Sequence, residues 1–259
     1  MRDMLYDGNA AYEPGAIVCR VSPSFVRFGN FQLLAARNEH AELRQLTDFV
    51  IHHHFNHLES QYAVGSGQIV AAFFDEVCQL TAHMIVEWMR VGFVHGVMNT
   101  DNMAISGETI DYGPCAFMDA YAERRVFSSI DRGARYAYAN QPDIAVWNMA
   151  QLATSLLQLF EDKEAAVEEA TEIVHAMPAQ LEAAWIARFG AKIGLADATP
   201  ADQPMIEDLL GMMETDGADF TNACASARGI LSARTKLACS AMTPELSSKF
   251  CCMRSAFAV

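Results

Sequence analysis

Positive charge is scarce in this chain. Its 259 residues carry 18 Lys and Arg against 32 Asp and Glu, a formal charge of −14 at pH 7. Nucleic acids and anionic membranes are bound through clustered Lys and Arg, so neither is an expected partner, whereas a basic protein is compatible with this balance. Long apolar runs are missing as well. The longest strictly apolar stretch, Ile69 to Phe74, falls far short of the roughly 20 residues of a spanning helix, and the polar start Met1-Arg-Asp-Met-Leu-Tyr-Asp has no signal-peptide apolar region. No CxxC pair occurs among the seven cysteines, which argues against a zinc ribbon or a secreted disulfide framework and for a reducing compartment. The cytoplasm is expected, with the mitochondrial matrix as the alternative. Finally, no glycine-rich loop followed by Val-Ala-x-Lys is found; Gly65-Ser66-Gly67 is too short and leads into a helical pattern without lysine.

What is present is a set of helical patterns. With 52% of its residues apolar, the chain can bury one sizeable core. Asp7-Gly8 and Pro14-Gly15 are turn signals, and the run 17–21 before Pro23 reads as a short strand. Leu43, Leu46, Phe49 and Val50 have helical spacing over 40–55. A stronger helix is predicted over 68–91, with Ile69, Phe73, Val77, Leu80, Met84, Trp88 and Val91 on one face. Around Ser106-Gly107 two short strands would bring Asn102 and Asp111 side by side. An irregular stretch containing Arg124, Arg125, Arg132 and Arg135 extends to about residue 141. Helices follow over 143–160, 163–189 and 203–213, the last with Thr199-Pro-Ala-Asp202 as its capping signal. The acidic run 161–172 reads as a solvated helix face. A weak boundary at 197–204 divides the chain into 1–196, which holds the motifs below, and a helical extension 197–259.

The chemistry concentrates between His95 and Gly113. His95-Gly-Val-Met-Asn-Thr-Asp-Asn102 has the length of a protein-kinase catalytic loop, His-Arg-Asp, four residues, Asn, and Asp111-Tyr112-Gly113 stands where Asp-Phe-Gly would follow. Val97 occupies the position of the kinase's catalytic Asp. The metal-holding Asn and Asp are kept and the base is not.

Three stretches carry a resemblance to a known family: HGVMNTDNMAISGETIDYGPCAFMDAY from His95, YDGNAAYEPGAIVCRVSPSFVRFGNF from Tyr6, and ANQPDIAVWNMAQLATSLL from Ala139. Together they resemble the selenoprotein O (SelO) family of pseudokinase-fold enzymes, over residues 3 to about 210. The resemblance implies a mainly α protein with a few short strands, the large C-terminal lobe of a kinase-like fold. It also implies transfer of AMP from ATP to Ser, Thr or Tyr hydroxyls of proteins, with magnesium or manganese as cofactor and the nucleotide reversed relative to a kinase. In such proteins a small lobe with the glycine-rich loop and its lysine precedes the stretch equivalent to Tyr6, so that half of the nucleotide clamp is expected outside this polypeptide.

Residue by residue, the resemblance assigns metal to Asn102 and Asp111, nucleotide contact to Arg20, Arg27 and Asp111, and proton acceptance to Asp101. Without the flanking match, Asn102 and Asp111 would read as loop residues capping backbone groups. Asp101 has a second reading as an outer metal ligand, and the arginines one as surface ion pairs. His53 and His57, four apart in the run His52 to His57, suggest zinc, but no HExxH glutamate accompanies them and an amphipathic helix end is the simpler reading. Cys251-Cys252 has a redox reading beside that of two inert thiols, in an ending that does not match the family's. The competing function is a non-catalytic remnant that binds nucleotide or acts as an interaction module.

Overall fold

The computed structural model describes residues 2–6, 9–13 and 15–238, and the side chains of 15–229. β1 (Arg2–Tyr6) pairs antiparallel with β2 (Asn9–Glu13), Tyr6 opposite Asn9; the Asp7-Gly8 turn signal lies outside the described residues. The strand expected over 17–21 does not form. Residues 15–20 have no regular structure, and Ile17, Val18 and Val21 are almost wholly exposed. β-branched residues fit a strand only where a neighbour supplies the ladder and the packing, and none does so here among the described residues.

Among the described residues, seven helices build the rest. α1 (Phe28–Ala36) was not legible from the sequence, being short and interrupted by Gly29. α2 (His40–His54) matches its expected span. α3 (Gly67–Val91) is the core element: Ser66 caps it by accepting from the Ile69 N–H, and Gly92 ends it in the left-handed conformation that favours glycine. Ile69, Phe73, Val77, Met84 and Trp88 are buried as the periodicity requires. Val91 is only half-buried, and Leu80 is 39% exposed and lies against the Gly107 backbone. The apolar face is wider than a single stripe because α3 is covered from two sides, which also buries Val70, Phe74, Thr81 and Ile85. By length and composition α3 could cross a bilayer; in the fold, 67% of its most apolar window is buried inside the protein.

Beyond α3, β3 (Phe93–Val94) pairs antiparallel with β4 (Ala116–Phe117). Between the strands, the hairpin expected around Ser106-Gly107 shrinks to a single bridge, Met103 to Thr109. Apart from β4 and a 3-10 turn at Tyr138–Asn140, residues 111–140 are irregular. α4 (Gln141–Leu156) begins with Pro142 in its first turn, where the missing N–H costs nothing. α5 (Lys163–Ile193), capped by Asp162, runs past its expected end to the left-handed Gly194, and the carboxylates from Glu161 to Glu172 are exposed. α6 (Gln203–Asp216) follows a 3-10 turn that Thr199 and Asp202 cap reciprocally. α7 (Phe220–Ala238), a helix within the expected helical extension 197–259 whose bounds the sequence did not mark, packs on α5.

The start of α7 is fixed by an aromatic cluster. Phe220 is fully buried against Tyr121, Tyr138 and Phe189, the Lys192 ammonium lies 3.7 Å from its ring centroid, and its edge fills the space over Gly92. Its N–H donates to the Asp119 carbonyl at 2.7 Å, while the Tyr121 N–H donates to Ala218 at 3.0 Å. One ring therefore ties the end of α3, the stretch after β4 and two later helices together. Phe220→Ala is expected to cost about 3–5 kcal/mol, measured by urea unfolding, with a larger effect than truncation of any exposed residue of α7.

Candidate active site

The loop after β3 is held by buried amides. Gln141, at the start of α4, accepts the His95 N–H on Oε1 at 3.0 Å and donates from Nε2 to the Phe93 carbonyl at 3.0 Å. Seven residues along the same helix, Asn148 donates to the Met98 carbonyl at 2.9 Å. Gln151, one turn further, accepts from Gln32 of α1, which in turn accepts the Thr100 hydroxyl at 2.7 Å. The loop is thus laid against an amide-bearing face of α4.

His95 is fully buried and stacks on Trp88, ring centroids 5.2 Å apart. Its Nε2 donates to the Ile110 carbonyl at 2.7 Å, and its Nδ1 receives the Val97 N–H at 3.4 Å. Both contacts are satisfied by one neutral tautomer. Burial lowers its pKa from the ordinary value, with the Ile110 carbonyl and the Asp111 charge acting against that shift. His95 is therefore a brace joining the two arms of the loop, as its place in a packed core requires.

The arms converge on the residues that sequence reading singled out. Asn102 donates from Nδ2 to the Val97 carbonyl at 3.0 Å, which fixes the amide and leaves Oδ1 as a free acceptor. The Met103–Thr109 bridge sets Asp101 and Asn102 on one arm and Asp111 on the other, just outside the paired residues. Asp111 is in the left-handed conformation, φ 59°, uncommon for a residue with a side chain. The Asp101 N–H is received by Asn99 Oδ1 at 3.1 Å. Its carboxylate lies so close over Gly29, in the first turn of α1, that a Cβ there would sit 2.0 Å from Oδ1.

Both arginines join this group. The segment before α1 is stitched to the loop by Ile105 N–H to the Val26 carbonyl (2.9 Å) and Phe28 N–H to the Met103 carbonyl (3.1 Å). This brings Arg27 Nη2 to 3.5 Å from Asp111 Oδ2, with the two side chains 38% and 46% exposed. Arg27 Nε is buried with no partner, an unspent donor beside the carboxylate. The Arg20 guanidinium lies 4.3 Å above the Tyr112 ring, a cation–π contact that leaves its in-plane N–H groups unspent.

Asn102, partly buried, and Asp111, exposed, offer one amide oxygen and one carboxylate. Among the described residues no three His, Cys, Asp or Glu side chains gather as a metal cage. That donor set suits magnesium, a hard cation bound through one or two protein oxygens, waters and substrate phosphates. A phosphate-bearing ligand also fits the unspent Arg27 and Arg20 donors. The residues missed in the sequence are Gln141, Asn148, Gln32 and Gly29; only Gly29, a glycine inside a helical turn, left a local sign.

The histidine run separates. α2 ends at His54, so His57 falls in the next 3-10 turn, pairing with Glu76 at 2.6 Å, while His52 pairs with Glu59 and His53 packs on Phe49. The i, i+4 geometry that suggested zinc is lost where the helix stops. Cys251 and Cys252 lie outside the described residues.

Comparison with known proteins gives this loop its family. The family described as "Protein adenylyltransferase SelO" matches residues 2–247. The "Protein nucleotidyltransferase YdiU" of Roseobacter denitrificans is 58% identical over 209 residues, covering 81% of this chain and 43% of the relative. Those of Ruegeria pomeroyi and Rhizobium johnstonii are 56% and 46% identical over 209 residues, each alignment taking in about four-fifths of this chain and two-fifths of the relative. Proteins of this class are named for transferring nucleotides to proteins. The chain belongs to the SelO family, and it spans less than half the length of these relatives.

Two predictions follow from this geometry. Below the ordinary histidine pKa of about 6.5 the unfolded chain binds a proton that buried His95 refuses, so stability falls as pH drops through that range, by up to about 1.4 kcal/mol per pH unit. Urea unfolding at stepped pH should show this component in the wild type and not in His95→Gln. Gly29→Ala should push the Asp101 carboxylate off α1, visible as displaced amide resonances of Asn99 to Asn102 with little change in helix content.

Proposed function

We propose that this chain supplies the metal- and phosphate-holding part of a SelO-type protein adenylyltransferase, with the architecture of a kinase's large lobe. Family membership supports the reaction class. The observation that carries the reading at this site is the Asn102 amide, fixed through Nδ2 to the Val97 carbonyl on the arm bridged at Met103–Thr109 to the one that bears Asp111 and its Arg27 partner.

In this reading the hydroxyl oxygen of a Ser, Thr or Tyr on a protein substrate attacks the α-phosphorus of ATP. The bond from that phosphorus to the α,β-bridging oxygen breaks, pyrophosphate leaves, and the hydroxyl proton passes to Asp101. Asn102 and Asp111 would hold magnesium, which neutralises phosphate charge as the leaving group departs. Arg27 and Arg20 bind phosphate oxygens and orient a nucleotide seated the opposite way to a kinase's. Val97, at the kinase base position, contributes its backbone: its carbonyl fixes Asn102 and its N–H reaches His95. Asp101 sits one residue before the metal-side Asn102, with an exposed carboxylate.

The test grafts this chain into the Roseobacter denitrificans relative in place of the aligned stretch. With magnesium, the chimera should label protein from α-labelled ATP and not from γ-labelled ATP. Asp111→Ala should abolish labelling together with calorimetric ATP–magnesium binding. Asp101→Ala should slow labelling by about a hundredfold or more while leaving nucleotide binding nearly unchanged. Labelling from the γ-position would make the chain a phosphotransferase; a folded chimera that labels from neither would make it a binding module.

A further inference from the structure

Away from the loop, helices α3 to α6 enclose an open groove of about 410 Å³, the size of a site for one or two large side chains. Its floor is apolar, with Met89, Val146, Leu181 and the half-buried Trp185. Its rim carries Asp143, Glu182 and Glu207, all exposed, and no Lys, Arg or His lines it. Glu182 and Glu207 share one donor, the Gln203 amide, at 3.0 and 2.9 Å. Asp143 has no hydrogen bond or ion pair among the described residues. The groove therefore presents apolar surface rimmed by three exposed carboxylates with no cationic side chain among the residues that line it.

We propose that this groove docks a basic, apolar peptide segment of a partner protein, with Leu- or Met-like side chains on the floor and Arg or Lys against the acidic rim. Charge complementarity selects this occupant, because an acidic or neutral segment would leave the three carboxylates without a counter-charge. Trp185 adds an aromatic face that suits a guanidinium. The groove is joined to the loop through its own wall. Pro142 and Asp143 directly follow Gln141, and Met89 receives the Gln141 amide on its sulfur at 3.5 Å and the Tyr138 hydroxyl on its carbonyl at 2.6 Å. A segment seated here presses on the residues that position His95.

The proposal concerns binding and stands apart from the transfer reaction, so the two can fail separately. The test is fluorescence anisotropy on the full chain without nucleotide, using a short labelled peptide of alternating Leu and Arg pairs and a counterpart with Glu for Arg. The basic peptide should bind saturably and the acidic one should not. Glu182→Gln combined with Glu207→Gln should weaken binding about tenfold. Val146→Trp, which fills the floor without changing charge, should weaken it as strongly, with circular dichroism confirming that both variants fold. Equal binding of the two peptides, or binding indifferent to both variants, overturns the proposal. Refusal of the basic peptide by the full chain overturns it too, as does a dimer in sedimentation that the double variant breaks, which would make a second copy the occupant.

Discussion

Everything at this site depends on one buried amide. Gln141 spends its oxygen on the His95 N–H and its nitrogen on the Phe93 carbonyl, so the chain leaving α3 is held to the start of α4 by groups with nowhere else to bond. A buried backbone donor or acceptor left unpaired costs more than the bond itself contributes. The loop therefore has one favourable position. His95 transmits that position to the second arm through Ile110, Asn102 through Val97, and Asp111 stands next to Ile110. The exposed, charged end of the site is only as well placed as this uncharged interior.

That division explains what the sequence disclosed. α2, α3 and α6 were legible because apolar spacing, caps and terminal glycine are local signals, and the same locality made the His95–Gly113 motif readable. The amides of α4 were not. Gln141 and Asn148 bond to groups 46 and 50 residues away, and nothing in the helix pattern distinguishes them from ordinary helix-tolerant residues. The strand over 17–21 failed for the related reason that strand formation requires a partner which no local pattern supplies. Arg20 and Arg27 were read together with the metal pair through resemblance alone. The Val26–Phe28 to Met103–Ile105 stitching that brings Arg27 to Asp111 has no signature in either segment.

The acidity of the chain takes on a different meaning once its residues are placed. Much of the negative charge lies on solvated faces such as Glu161 to Glu172, where it adds little to stability. The candidate site is the exception, because Arg27 pairs with Asp111 there and Arg20 lies over the neighbouring Tyr112 ring. An anionic ligand approaching a protein of this charge is repelled at long range, so local positive charge such as that of Arg20 and Arg27 would have to offset that repulsion.

The Arg27–Asp111 pair would couple the binding of a cation to that of an anion. At 3.5 Å and partly exposed, it is a loose contact that water and ligands can replace. A cation taking the Asp111 carboxylate would release the guanidinium, and an anion taking the guanidinium would release the carboxylate. Each ligand thereby removes the other's competitor, so cation and anion are linked by a shared coupling free energy even where they never touch. A complexed pair would enter such a site more readily than either partner alone, and would leave it as a pair.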